Sequence, residues 1–135
     1  MNPIPVLFLS SLLLTNSAHA DPIDDSLDAW HAGDRQAAIA TWEMLAETGD
    51  AEASLFLGHV HRNGLGVARN PQQAAAWYRR AAELGEPAAQ YEIALMYELG
   101  IGVEQDPGEA ALWYGLSSAQ ACPGQLRSGG RLGDR

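Results

Sequence analysis

Residues 64–78 read GLGVARNPQQAAAWY and residues 100–114 read GIGVEQDPGEAALWY, so one pattern returns after 36 positions. Residues 51–85 align with residues 87–121 at this offset without a gap, and nine pairs are identical. The residues that define the repeat are Ala53, Gly64, Gly66, Val67, Trp77 and Tyr78 in the first copy and Ala89, Gly100, Gly102, Val103, Trp113 and Tyr114 in the second. A period of this size is typical of solenoids.

Each repeat predicts two helices, named A and B. Helix A of the second copy begins at Pro87, where the missing N–H costs nothing. Its apolar residues recur at helical spacing and predict a buried stripe. They are Ala89, Ile93, Met96 and Tyr97. The Gly-x-Gly-Val segment then breaks the helix, because glycine readily adopts positive φ. Helix B restarts at Asp106-Pro107-Gly108-Glu109, which has the pattern of a capping box.

Outside the two repeats the pattern is weaker. Residues 21–50 predict a degenerate helix pair, with helices near 24–32 and 34–48 but without the glycine hairpin. The pattern decays after Tyr114, and Cys122-Pro123 ends any helix. Residues 122–135 are rich in Gly, Ser and Arg and are predicted to be disordered. The predicted fold is an all-α solenoid of antiparallel helix pairs with about two and a half repeats, including 51–86 and 87–121.

Residues 1–20 have the layout of a secretory signal peptide. A short apolar run from Val6 to Leu14 precedes Ala18-His19-Ala20, which carries small residues where signal peptidase cleaves. The run is too short to span a bilayer. We expect cleavage near Ala20 and an exported protein, periplasmic or secreted, with no membrane insertion after signal removal. The alternative is a frayed apolar N-terminus.

Composition disfavours nucleic-acid binders, disulfide scaffolds and membrane-embedded proteins. The 135 residues include 23 Ala, no Lys and eight Arg, and the net charge is −9. Abundant alanine favours closely packed helices. The negative charge opposes nucleic acid, since phosphate binding needs clustered basic residues. A single Cys excludes an internal disulfide.

The repeat resembles the Sel-1-like repeat, a short relative of the tetratricopeptide repeat. In the first copy the resemblance is carried by Ala53, Leu57-Gly58, Gly64-Leu65-Gly66-Val67, Ala74-Ala75, Trp77-Tyr78 and Ala81-Ala82 with Gly85. In the second it is carried by Ala89, Ile93-Ala94, Tyr97, Gly100-Ile101-Gly102-Val103, Asp106, Ala110-Ala111 and Trp113-Tyr114. His61 stands where the family has Tyr, and Asn70 where it has Asp.

This resemblance implies a right-handed superhelix whose A helices line a surface that holds protein or peptide partners. An exported, cysteine-rich subgroup of the family has been associated with binding or hydrolysing β-lactams. Its units carry paired Cys, and the repeats of this chain contain none. A scaffolding module is the main expectation. The two alternatives are a β-lactam-handling protein and a truncated, inactive copy.

Other candidate chemistry has a structural explanation in the sequence. The Gly-x-Gly loops lack the third glycine and the preceding strand of a dinucleotide fingerprint. His59 and His61 are two positions apart on a helix and therefore point to different sides, which disfavours a shared metal ion. Cys122 has no His at a catalytic spacing. We therefore predict no catalytic residue, no metal and no cofactor.

The predicted binding surface lies opposite the buried stripe of each A helix. It comprises Leu55, His59 and Arg62 in the first repeat and Tyr91, Leu95 and Glu98 in the second. Side by side, these positions predict a site for an extended or helical segment, and the acidic surroundings favour basic partners. Alternatively, Tyr91 and Leu95 pack against a neighbouring unit. An uncapped C-terminal end also predicts self-association.

Overall fold

The computed structural model describes residues 21–121, which fold into six α-helices without a strand. The helices are α1 (Pro22–His31), α2 (Arg35–Glu47), α3 (Ala51–Asn63), α4 (Pro71–Glu83), α5 (Pro87–Leu99) and α6 (Pro107–Ala121). The predicted all-α solenoid is confirmed, with α3–α4 and α5–α6 as its two complete repeats. The predicted signal peptide and disordered tail, residues 1–20 and 122–135, lie outside the described residues.

The described residues before Trp42 form one compact unit, and those from Trp42 onward form another. In the first unit, Asp21 caps α1 by accepting a hydrogen bond from the backbone N–H of Ile23 at 3.4 Å. Asp34 accepts one from the backbone N–H of Ala37 in the first turn of α2, at 3.2 Å. Side-chain caps therefore start both helices, since they satisfy amide groups that lack a partner within the helix.

The hairpins within the two repeats have the same construction. Arg69 donates from Nε to the carbonyl oxygen of Arg62 at 3.1 Å. In the second repeat, Gln105 occupies the equivalent position and donates from Nε2 to the carbonyl oxygen of Glu98 at 2.8 Å. Each bond satisfies a carbonyl in the last turn of an A helix, where no partner within the helix exists. Different side chains therefore close the same hairpin.

The B helices begin at the predicted caps, but the backbone N–H of Asp106 donates to the carbonyl oxygen of Tyr97 at 2.9 Å, so the return bond from Glu109 that completes a capping box is not formed. Asn70 Oδ1 accepts a hydrogen bond from the backbone N–H of Gln73 at 3.1 Å. Asp106 Oδ1 accepts from the backbone N–H groups of Gly108 and Glu109, both at 3.1 Å. The proline that follows each cap has the fixed φ that suits the first helical position. Asn at position 70 thus performs the same role as Asp at position 106.

One core cluster draws its buried residues from α3, α4, α5 and α6. Its buried members are Leu55, Ala74, Ala75, Tyr78, Ala81, Ala82, Ala89, Ile93, Met96, Tyr97 and Ala110. More than half of these residues are alanine, which lets neighbouring helix backbones approach closely. Val103, Trp113 and Tyr114 are partly buried against the edge of the cluster. The periodic alanines of the sequence therefore mark the contacts between helices.

Candidate functional site

The polar part of the candidate site begins on α3. His59 is half-buried, and its Nδ1 lies 2.8 Å from the hydroxyl oxygen of Tyr78 on α4. The two rings meet edge to face, with centroids 5.4 Å apart. Burial lowers the pKa of His59, although the nearby Glu92 carboxylate opposes this effect. His59 is therefore held by the tyrosine and favours its neutral form.

An ion pair joins the two repeats across this surface. Arg62 on α3 binds Glu92 on α5 through Nη1 and Oε2. The side chains are 37% and 20% exposed, so the pair is reached by solvent. Arg62 thereby ties the A helix of one repeat to the A helix of the next. Its carboxylate partner is a residue that the sequence analysis did not select.

A tyrosine-rich group lies on the second repeat. Tyr114 on α6 donates its hydroxyl hydrogen to Oε2 of Glu98 on α5, at 2.7 Å. This hydrogen bond, followed by desolvation, raises the pKa of Tyr114 to about 12. The ring of Tyr91 lies 5.4 Å from that of Tyr114, and Tyr91 is 51% exposed. The arrangement places an acid and an aromatic face side by side at the surface.

The six predicted surface residues have different environments. Tyr91 and Glu98 are exposed, and His59, Arg62 and Leu95 are half-buried. Leu55 is only 9% exposed and belongs to the core cluster, so its side chain is not part of an accessible surface. We define the A-helix surface by the five predicted residues that are at least partly accessible, together with Glu92, which pairs with Arg62. They are His59, Arg62, Tyr91, Glu92, Leu95 and Glu98.

Two tyrosines contribute to this surface from the B helices. Tyr78 and Tyr114 were selected from the sequence only because they define the repeat. Their hydroxyl groups reach the A helices of their own repeats, at His59 and Glu98 respectively. Burial, opposed by a hydrogen bond with Arg62, raises the pKa of Tyr78 to about 12. The sequence signal for this contact was the recurrence of the tyrosine at the same position of both repeats.

The other sequence candidates occupy structural positions. Burial lowers the pKa of His61, and the nearby Glu43 carboxylate opposes this effect. His59 contacts Tyr78 instead, so the two histidines have different neighbours. Gly64 and Gly100 end α3 and α5 in the left-handed conformation, with φ of 66° and 68°. Within residues 21–121, no group of three or more His, Cys, Asp or Glu side chains is arranged to hold a metal ion. None of the described helices is long and apolar enough to cross a membrane.

The Sel1 repeat model matches residues 51–86 and 87–122, which together make up more than half of the chain. The chain belongs to the Sel1 repeat family. Sel1 repeats are generally protein–protein interaction modules. No curated protein is significantly similar to the chain.

Solved structures of Sel1 proteins have the same fold. A protective antigen of uropathogenic Escherichia coli with an SLR fold is 35% identical, with a TM-score of 0.66, over 69% of this chain and 21% of its own. A Sel1 repeat protein from Oxalobacter formigenes is 28% identical, with a TM-score of 0.67, over 73% of this chain and 40% of its own. Cysteine rich protein B of Helicobacter pylori, 20% identical, matches with a TM-score of 0.61 over 62% and 63% of the two chains. The matched region thus spans less than two thirds of each of these proteins.

Proposed function

We propose that this Sel1 protein is a non-catalytic binding module that holds a protein or peptide segment on its A-helix surface. The observation that carries the proposal is the Arg62–Glu92 ion pair, which joins adjacent A helices, with Leu95 and the exposed Tyr91 on the second of them. Several of these side chains are already held by partners within the chain. Binding therefore immobilises few additional side chains, and this lowers its entropic cost.

The partner segment that suits this surface is basic and carries at least one apolar side chain. Residues 21–121 contain 16 acidic residues and five Arg, so the field of the module attracts positive charge. Glu98 is exposed, and its carboxylate accepts a hydrogen bond from the hydroxyl group of Tyr114, so it lies near the tyrosine ring. A cationic side chain of the partner gains both a carboxylate and an aromatic face at this place. Steering of this kind raises the association rate more than the affinity.

The alternative of a β-lactam-handling protein has less support. The single cysteine, Cys122, is the last residue of the second matched repeat, so the paired cysteines of that subgroup are missing. His59 is hydrogen-bonded to Tyr78, whereas each of the four serines within residues 21–121 donates its hydroxyl hydrogen to a backbone carbonyl oxygen. Acyl transfer needs a nucleophile paired with its base. We expect no turnover of a chromogenic β-lactam by the purified protein. Turnover above background would refute the non-catalytic part of the proposal.

We further propose that the module works outside the cytoplasm, in the periplasm or the external medium. The proposal rests on the signal-peptide pattern of residues 1–20. Expression of the full chain in a Gram-negative host, followed by N-terminal sequencing of the protein from the periplasm and medium, tests it. The expected mature protein begins at Asp21. Retention of the intact N-terminus in the cytoplasm would contradict the proposal.

Peptide selection tests the binding surface itself. We expect peptides selected on the wild-type protein from a random displayed library to be enriched in Arg and Lys. Glu98→Arg should weaken their binding about tenfold or more, because it removes an attraction and adds a repulsion. Tyr91→Ala should weaken it by removing the exposed aromatic ring.

Matched variants at the last residue of α4 and at the residue that follows it control for general effects of charge and exposure. Glu83→Arg makes the same charge change as Glu98→Arg at an exposed position on a B helix, and Leu84→Ala removes a side chain that is 48% exposed. Both should weaken peptide binding far less than Glu98→Arg and Tyr91→Ala do. Equal losses in the control variants, or selected peptides indifferent to Glu98→Arg and Tyr91→Ala, would refute the A-helix surface as the binding site.

A further inference from the structure

The outer side of α6 is apolar and carries almost no charge. Glu109 is the only charged residue among the fifteen of this helix. Leu112 and Leu116, one turn apart, are 65% and 48% exposed. Exposed residues of small volume surround them. We define the α6 surface by Ala111, Leu112, Gly115, Leu116, Ser118 and Ala119, all of which are exposed.

The equivalent helix of the first repeat shows what such a surface packs against. Ala75 and Ala82 on α4 are 3% and 1% exposed, because α5 packs on this helix. Their counterparts 36 residues later, Ala111 and Ser118, are exposed on α6. The part of α4 that is covered by a helix therefore remains open on α6 among the described residues.

The solvent side of the two B helices differs in charge. Arg79, Arg80 and Glu83 are exposed on α4. The residues at the same positions on α6 are Gly115, Leu116 and Ala119, so three charged side chains are replaced by small or apolar ones. An isolated surface helix normally keeps its polar face toward water. The loss of these three charges on α6 thus indicates that its outer side is covered by a binding partner.

We propose that the α6 surface binds the same surface of a second copy of this chain, forming a symmetric dimer. The contact is self-complementary, because Leu112 of one copy meets Leu116 of the other when the two helices run antiparallel. Gly115 lies near the two-fold axis, where an added Cβ meets no atom of its own chain within 4 Å. Its lack of a side chain permits close approach of the two helices.

The low charge of α6 favours an apolar occupant over a basic one. Glu109 is the only charged residue of this helix, so a second α6 surface matches it in apolar character and adds a single carboxylate. A basic partner finds few carboxylates on α6. An open apolar depression of about 460 Å³, lined in part by Leu112, Trp113 and Leu116, offers room for a leucine of the second copy.

The size of the contact indicates a transient dimer. A helix of fifteen residues is about 22 Å long, so one helix pair forms an interface below the standard size of stable complexes. We therefore expect the dimer to dissociate on dilution. This inference does not depend on the proposed function, since none of the six residues that define the α6 surface belongs to the A-helix surface.

Sedimentation velocity of the purified full chain, from low micromolar to near-millimolar concentration, tests the proposal. The weight-average mass should rise from that of a monomer toward twice that value. The double variant Leu112→Arg/Leu116→Arg should weaken association about tenfold or more, with an unchanged far-ultraviolet circular dichroism spectrum. The matched control is Ala76→Arg, which adds an arginine at the exposed position on α4 that is equivalent to Leu112. It should associate like the wild type.

Cysteine crosslinking locates the contact. In a Cys122→Ser background, Gly115→Cys should form a disulfide-linked dimer on mild oxidation, because the two thiols lie near the axis. Arg79→Cys, the equivalent substitution on α4, should give far less. A chain that stays monomeric throughout, a dimer insensitive to Leu112→Arg/Leu116→Arg, or equal crosslinking by both cysteines would overturn the proposal. So would a monomer that dimerises only after residues 122–135 are removed, since that segment would then be the occupant of the surface.

Discussion

Tyr78 lies against the backbone of Gly58: a Cβ built on this glycine would stand 2.5 Å from both Cδ1 and Cε1 of the tyrosine ring. Tyr78 is fully buried there, and its hydroxyl group reaches His59. The second repeat has Ala94 in place of Gly58, and its tyrosine, Tyr114, is half-buried. The first repeat therefore buries its tyrosine by omitting a methyl group from the facing helix.

Replacing Gly58 by alanine should destabilise the protein. Alanine favours a helix by about 1 kcal/mol relative to glycine, but its methyl group overlaps the buried ring. Displacement of a well-packed aromatic ring should outweigh this gain, so we expect a net loss of about 2 kcal/mol in the free energy of unfolding. Urea denaturation monitored by circular dichroism measures the change.

The reverse substitution in the second repeat provides the control. Ala94→Gly relieves no overlap and should lose only about 1 kcal/mol, from helix propensity and a buried methyl group. A gain in stability for Gly58→Ala would mean that the tyrosine ring moves aside at little cost. In that case the contact would not determine the position of Tyr78.

Gly102 should be less tolerant of substitution than Gly49. Both have positive φ, 70° and 95°, so alanine at either position is strained by about 1–2 kcal/mol. A Cβ on Gly102 would also overlap the carbonyl oxygen of Pro71 at the start of α4, whereas one on Gly49 meets no atom within 4 Å. We expect Gly102→Ala to cost at least about 1–3 kcal/mol more than Gly49→Ala in thermal or urea unfolding. Equal losses would show that the loop shifts away from α4 freely.

Stability should decrease in mild acid because two histidines are partly buried. Burial lowers the pKa of His59 and His61 below the ordinary value of 6.5. As the pH falls through 6.5, the unfolded chain takes up protons at these residues before the folded chain does. The free energy of unfolding therefore decreases with decreasing pH until the folded pKa values are passed. Above pH 6.5 this contribution to stability is fully present.

Glutamine substitutions isolate the histidine contribution. The urea midpoints of wild type, His59→Gln and His61→Gln should be compared between pH 8 and pH 5. Each variant should lose less stability than the wild type over this range, because it lacks one group that titrates at a lowered pKa in the folded state. A variant with the same pH dependence as the wild type would assign the acid sensitivity to other residues.

The Arg62–Glu92 pair should couple the two repeats only weakly in energy. Side chains that are 37% and 20% exposed are screened by water, so a double-mutant cycle of Arg62→Ala and Glu92→Ala should give about 0.5–1 kcal/mol. The coupling should decrease in high salt. A coupling of several kcal/mol that persists in high salt would indicate a pair shielded from solvent. If the coupling is weak, as expected, the main role of the ion pair is to position the side chains of the A-helix surface.

Local signals made most of the fold predictable. Asn70 and Asp106 cap helices because their side chains accept bonds from amides two or three residues away. Gly64 and Gly100 end helices because they adopt positive φ at no steric cost. These effects act within one turn of the chain, so sequence alone was sufficient to locate the helix pairs.

The candidate site was less predictable because its residues depend on distant neighbours. Leu55 occupies the surface slot of a single helix, but in the folded chain it is only 9% exposed and belongs to the core cluster. Glu92 joins the site only because Arg62, thirty residues earlier, comes within reach when the repeats stack. Helical periodicity gives the direction of a side chain but not what packs against it.

The sequence by itself determined the 36-residue period, the helix pairs and the acidic character of the repeats. Tertiary structure alone decided which residue of each periodic slot is accessible. The same slot holds Leu55, which is 9% exposed, and Tyr91, which is 51% exposed, because Leu55 belongs to a core cluster that includes residues of the second repeat. Stacking, not propensity, produces this difference, since exposure depends on contacts between segments far apart in the chain.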